Sequence, residues 1–159
     1  MIKDGKTPWG VSIFAGLTLV LTLGAICGSR ADDLDFFVEA VRKNRIDEVR
    51  TLLLKGVDVN SRDVFGDNAG LHWAASLGLA EMARLLIDNG ADVNIRNEEG
   101  YTPLHWAAGE GQKELVVILI IHGADVNAHN KRGWTPLRWA EAQRQKEIAR
   151  ILMAAGGRR

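Results

Sequence analysis

The sequence predicts an all-α solenoid of about four stacked helix-turn-helix units, an N-terminal capping pair followed by three repeats, joined by β-turn or hairpin loops. Three observations predict it. The chain repeats with a period of 33 residues, so that His72 returns as His105, Trp73 as Trp106 and Trp139, and Leu71 as Leu104 and Leu137. A Thr-Pro pair, Thr102-Pro103 and Thr135-Pro136, stands where a first helix should begin. A glycine, Gly90, Gly123 or Gly156, follows each second helix, as a C-terminal stop should.

The chain opens differently. No charged residue lies between Lys6 and Arg30, and from Val11 to Cys27 only Ser12, Thr18 and Thr22 are polar. Lys3 and Lys6 before the apolar run, and Ser29 and Ala31 after it, supply the three parts of a secretory signal peptide, with cleavage expected after Ala31. The alternative is an uncleaved signal anchor, because a run of 17 residues approaches the roughly 20 that span a bilayer. Bulky Ile26 argues against lipidation of Cys27. Both routes export the rest, since lysines precede the segment while Asp32, Asp33 and Asp35 follow it. The domain boundaries are thus 1–31 for the signal or anchor, 32–60 for the capping pair, and 61–94, 95–127 and 128–159 for the repeats.

In the capping pair, Phe36 to Val41 and then Val49, Leu52 and Leu53 read as two helices without a Thr-Pro start. The repeat at 61–94 also lacks that start, having Asp67-Asn68-Ala69-Gly70, and its Asn60 to His72 interval is one residue longer than Asn94 to His105. A distorted turn is expected there. In the next repeat Gly111 separates the two helices, Ala107 and Ala108 keep the first one narrow, and Val116, Val117, Leu119 and Ile120 join Leu85 and Leu86 of the preceding repeat as expected core. The last repeat keeps Thr-Pro but has Arg138 for the histidine and Arg144 for the mid-unit glycine. Its Glu141, Gln143, Arg144, Gln145, Lys146 and Glu147 suit a wet terminal face, so the array is expected to end here.

The pattern Gly100-Tyr-Thr-Pro-Leu-His-Trp-Ala-Ala108, then Gly111, then Gly123-Ala-Asp-Val-Asn127 resembles the ankyrin repeat nearly residue for residue, and the likeness extends over about Asp32 to Gly157. The resemblance implies structural roles for His72 and His105, and inter-repeat packing for the Trp73, Trp106, Trp139 ladder. It also implies a protein-binding concave face built from hairpin tips and the ends of the first helices. Carried onto this chain, the tips are Val64, Phe65 and Asp67, then Glu98, Glu99 and Tyr101, then Lys131, Arg132 and Trp134. The helix-end positions include Leu77 and Glu110. Phe65, Tyr101 and Trp134 put an aromatic in every tip, outside the packing positions, where interface anchors are expected.

Other chemistry finds little support. Cys27 is the sole cysteine, which excludes an intramolecular disulfide and a cysteine-based zinc site. His122 and His129 have no carboxylate at ligand spacing, and no nucleophile elbow, phosphate loop or zinc-protease motif occurs. No catalytic residue, metal or cofactor is expected. Twenty basic against twenty acidic residues argue against nucleic acid as a partner. Removing 1–31, with three basic residues and one acidic, leaves seventeen and nineteen. The sequence therefore points to a mildly acidic, monomeric module that binds another protein outside the cytoplasm, in contact with a membrane only if the first segment is retained.

Overall fold

The computed structural model describes residues 30–64 and 66–159; the apolar segment and Phe65 lie outside them. Eight helices occur among the described residues: α1 (Arg30–Arg42), α2 (Ile46–Leu54), α3 (Gly70–Leu77), α4 (Ala80–Asp88), α5 (Pro103–Gly109), α6 (Lys113–Ile121), α7 (Pro136–Ala142) and α8 (Lys146–Ala154). The unit Asp33–Arg159 contains two rows, with α5 packed between α3 and α7, and α6 between α4 and α8. None of the described helices is long and apolar enough to cross a membrane.

Local chemistry sets the helix limits. Thr102 and Thr135 are extended N-caps with proline next, and Thr135 Oγ1 accepts the Arg138 amide at 3.2 Å. The second helices end alike. Gly90, Gly123 and Gly156 take φ near +88° (89°, 87° and 89°), and the amide beyond each glycine reaches back to Leu86, Leu119 or Leu152. These paired bonds satisfy carbonyls that a helix end leaves open. Gly56 closes α2 in the same way.

The expected irregularity of the first finger has a concrete form. Asp63 N–H donates to the Asn68 carbonyl, whereas the later fingers close from Asn97 to Tyr101 and from Asn130 to Trp134, one residue shorter. The extra residue is taken up with Asp67 at φ 61° and a bridge between Arg62 and Ala69. α3 still starts without Thr-Pro, because His72 Nδ1 accepts the Ala69 amide at 3.1 Å.

Side chains then join unit to unit. His72 Nε2 donates to the Tyr101 carbonyl and His105 Nε2 to the Trp134 carbonyl, each at 2.9 Å. Asn94 Oδ1 accepts the Asp125 amide at 2.7 Å while its Nδ2 donates to the Gly123 carbonyl at 3.1 Å. Gln112 and Gln145 donate back to Ser76 and Gly109. Where Arg138 replaces the histidine, Thr135 Oγ1 donates instead to the Arg158 carbonyl at 2.7 Å, so the last link survives by another route.

One core expectation is corrected. Leu85, Leu86, Val116 and Leu119 are buried as expected, but Val117 is 39% exposed and Ile120 only half-buried, while Leu115 and Ile118 take inward positions. The α6 sequence Lys-Glu-Leu-Val-Val-Ile-Leu-Ile-Ile is apolar on every side after its first turn, so its pattern does not mark the buried face.

The mid-unit turn gives a first prediction. Gly78 and Gly111 there have φ of 73° and 76°, and Arg144 is held at 61° in the same left-handed region. A side chain there costs about 1 kcal/mol relative to glycine. Arg144→Gly should raise stability by about that amount in a urea titration. An unchanged or lowered midpoint would show that Arg144 makes compensating contacts.

Candidate functional site

The finger tips form a row because backbone bonds tie each to the one before. Glu98 N–H donates to the Gly66 carbonyl at 3.2 Å and Lys131 N–H to the Glu99 carbonyl at 3.0 Å. Glu98, Glu99, Lys131 and Arg132 have exposed side chains, and no described ion pair uses any of them. This places an acidic tip beside a basic one. Asp67, by contrast, is ion-paired with Arg62, whose Nη1 also donates to the Arg96 carbonyl at 2.8 Å, so it holds its own finger together. Leu77, at the end of α3, is 48% exposed, and Val64 is 73% exposed.

The aromatic residues differ from expectation. Tyr101 and Trp134 are only half-exposed, and both rest on Trp139, with ring centroids at 5.3 Å and 5.5 Å. They do not stand outside the packing. Trp139 in turn lies against the α5 backbone, where a Cβ on Gly109 would come within 2.2 Å of its Nε1. Trp73 and Trp106 pack at 6.0 Å, which joins two repeats, yet all three ladder tryptophans retain some exposed surface. Trp106 and Trp139, with Tyr101 and Glu110, line a pocket of about 210 Å³. Sequence reasoning had marked Tyr101 and Glu110 for the face but gave Trp106 and Trp139 to packing alone. The available signal was Gly109, which stands where the neighbouring repeats have Ser76 and Ala142.

Two arginines already sit over rings of this face: Arg42 over Trp73 at 4.5 Å and Arg138 over Trp134 at 5.0 Å. Trp73 Nε1 donates to Asp63 Oδ2 at 2.8 Å, whereas Trp106 Nε1 is buried without a hydrogen-bond partner.

The histidines work beneath the tips. His105 is fully buried, with Nδ1 accepting the Thr102 amide at 3.1 Å and lying 2.9 Å from the Thr102 hydroxyl. Burial lowers the pKa of both His72 and His105 to about 4, outweighing the bonds to the Tyr101 and Trp134 carbonyls that act the other way. Both rings therefore serve as neutral connectors. His122 Nδ1 lies 2.8 Å from the Ile118 carbonyl and caps α6. Among the described residues no three His, Cys, Asp or Glu side chains are grouped so as to hold a metal.

Comparison with known proteins follows the same repeat. A family model described as "Ankyrin repeats (3 copies)" matches residues 20–97, 36–130 and 71–158. A B-cell lymphoma 3 protein homolog of Mus musculus is 33% identical over 107 residues, 64% of this chain and 24% of that protein. Palmitoyltransferase ZDHHC17 of Danio rerio is 38% identical over 65 residues, 41% of this chain and 10% of its own length. Potassium channel KOR1 of Oryza sativa subsp. japonica is 46% identical over 65 residues, 41% of this chain and 8% of its own length. The chain thus spans a quarter or less of these relatives, whose names describe unlike proteins.

Proposed function

The chain belongs to the ankyrin-repeat family, whose members are in general non-catalytic modules that bind other proteins, and from that premise we propose that it is an exported docking module or scaffold without catalytic activity. The observation that carries this reading is the row of tips, in which exposed, unpaired Glu98 and Glu99 stand next to exposed, unpaired Lys131 and Arg132 on a hydrogen-bonded frame. A partner with the opposite order of charges would be steered and oriented by it. Tyr101 adds to the face from its finger, and Leu77 and Glu110 extend it along the ends of the first helices. Export is supported by the uncharged stretch between Lys6 and Arg30 with lysines before it.

Charge reversal is the informative test, because these four side chains are exposed and their removal leaves the backbone bonds in place. Glu98→Lys with Glu99→Lys, and separately Lys131→Glu with Arg132→Glu, should each reduce capture of a partner from the exported fraction at least tenfold, with helical circular dichroism unchanged. Combining all four inverts the order of charges that the partner meets and should not restore capture. Equal capture by every variant would remove the tips from the interface. N-terminal sequencing of the protein from cells separates an exported, cleaved form starting at Asp32 from a tethered assembly factor starting at Met1. The tether remains the second reading because the apolar run of 17 residues is long for a signal peptide.

A further inference from the structure

We propose that the pocket between the last two repeats is a binding site for an alkylated ammonium group, seated against Tyr101, Trp106 and Trp139 with Glu110 as its counter-charge. The proposal concerns the same face as the docking reading but stands on ring geometry and does not require a protein partner.

Three aromatic side chains and one carboxylate line this space, and the four come from a finger, two first helices and a helix end. Aromatic rings present negative faces, and cations positioned over them are attracted within about 6 Å of the centroid. Tyr101 and Trp139 meet at 60° with centroids 5.3 Å apart, so their planes form a corner and are not stacked flat. The face uses the same chemistry on either side of the pocket, through Arg42 over Trp73 and Arg138 over Trp134. Among the described residues no cation of the protein is seated over Tyr101, Trp106 or Trp139. Glu110 caps α5 with an exposed side chain and is in no described ion pair, which leaves its charge for a ligand.

The walls also select the kind of cation. An unmodified lysine ammonium carries three donors and strong hydration. Ring faces cannot replace that hydration, and one carboxylate meets only part of it. A trimethylated nitrogen has no N–H to satisfy and presents methyl groups to the rings. A cavity of about 210 Å³ is below the range of about 300–1,000 Å³ that takes a drug-sized molecule, and so fits a head group. Gly109 makes the corner possible, because a Cβ there would drive Trp139 off the helix.

The test is calorimetric and fluorescence titration of the full chain with four probes: choline, a peptide containing trimethyl-lysine, the same peptide unmodified, and 3,3-dimethylbutanol as the uncharged isostere of choline. Either alkylammonium probe should bind at least tenfold more tightly than its matched control, with tryptophan fluorescence changing at saturation. Binding of choline identifies a free or lipid-borne head group, and binding of the peptide alone identifies a modified side chain; both support the proposal. Glu110→Gln, at an exposed position, should weaken binding several-fold, and Trp139→Phe should retain more affinity than Trp139→Ala. Gly109→Ala should weaken it while keeping every lining residue. Equal binding of the isostere, or no saturation by either alkylammonium probe below about 10 mM, overturns the proposal. So does unchanged affinity in Glu110→Gln and in Trp139→Ala, with circular dichroism confirming that both are folded. Capture of a protein partner has no bearing on these outcomes, so the docking reading and this one can fail separately.

Discussion

Stability should fall steeply as pH drops from about 6.5 to about 4, and His72 and His105 should account for the fall. Each ring is buried and neutral in the fold, with its pKa depressed to about 4 from 6.5. Between those values the unfolded chain binds more protons than the folded one, so stability is full above 6.5 and lost as pH descends to about 4, below which this contribution stays lost. The gap of about 2.5 pK units corresponds to about 3 kcal/mol per histidine, a large share of the about 5–15 kcal/mol that holds a typical domain together. The main cause is burial, which penalises the charged ring, and a protonated Nδ1 would in addition lose the Ala69 or Thr102 amide that it accepts. Urea titrations at intervals from pH 7.5 to 4 check it. His72→Gln with His105→Gln should start less stable at pH 7.5 and show a much flatter profile above pH 4.5. An identical slope in the double variant would assign the loss to other groups. Glu39 and Glu147 act only at the foot of the window, because Lys43 and Lys113 hold their carboxyls below the usual 4.5 and their contribution is lost only as pH falls below that value.

The second large effect is expected from truncating the middle of the stack. Leu104 is fully buried in α5, the first helix that packs on both α3 and α7. Leu104→Ala should cost about 3 kcal/mol, from lost burial and a cavity that rigid neighbours on both sides cannot close. The melting temperature should then drop by about 10 °C or more. Leu137, its counterpart in α7, has a described first-row neighbour on one side only, so Leu137→Ala should cost less. In a repeat array each unit contacts only its neighbours, which makes this ranking a direct consequence of the architecture. A loss under about 1 kcal/mol at Leu104, or the reverse ranking, would show that the end units carry the stability.

Which parts were legible beforehand follows from how far each signal reaches. Thr135-Pro136 and Gly123 act on the backbone within a few residues, so the helix start at Pro136 and the stop after Ile121 could be read from the chain itself. The one-residue insertion before His72 was visible as a count, although its absorption at Asp67 was not. α6 was legible as a helix but not in its rotation, since Val117 and Ile118 are equally apolar and only packing among α4, α5 and α8 fixes which face of α6 is covered, leaving Ile118 buried and Val117 exposed.

By itself, the sequence determined the period, the number of helix pairs in the repeats, the turn chemistry and the neutral overall charge, because each is written in residues a short distance apart. Tertiary structure alone decided that Tyr101 and Trp134 fold back onto Trp139, and that Trp106, Trp139 and Glu110 enclose a space. Those side chains are separated by up to 38 residues along the chain and meet only when one repeat lies on the next. The missing Cβ of Gly109 sets how closely Trp139 approaches, and a period does not encode that distance.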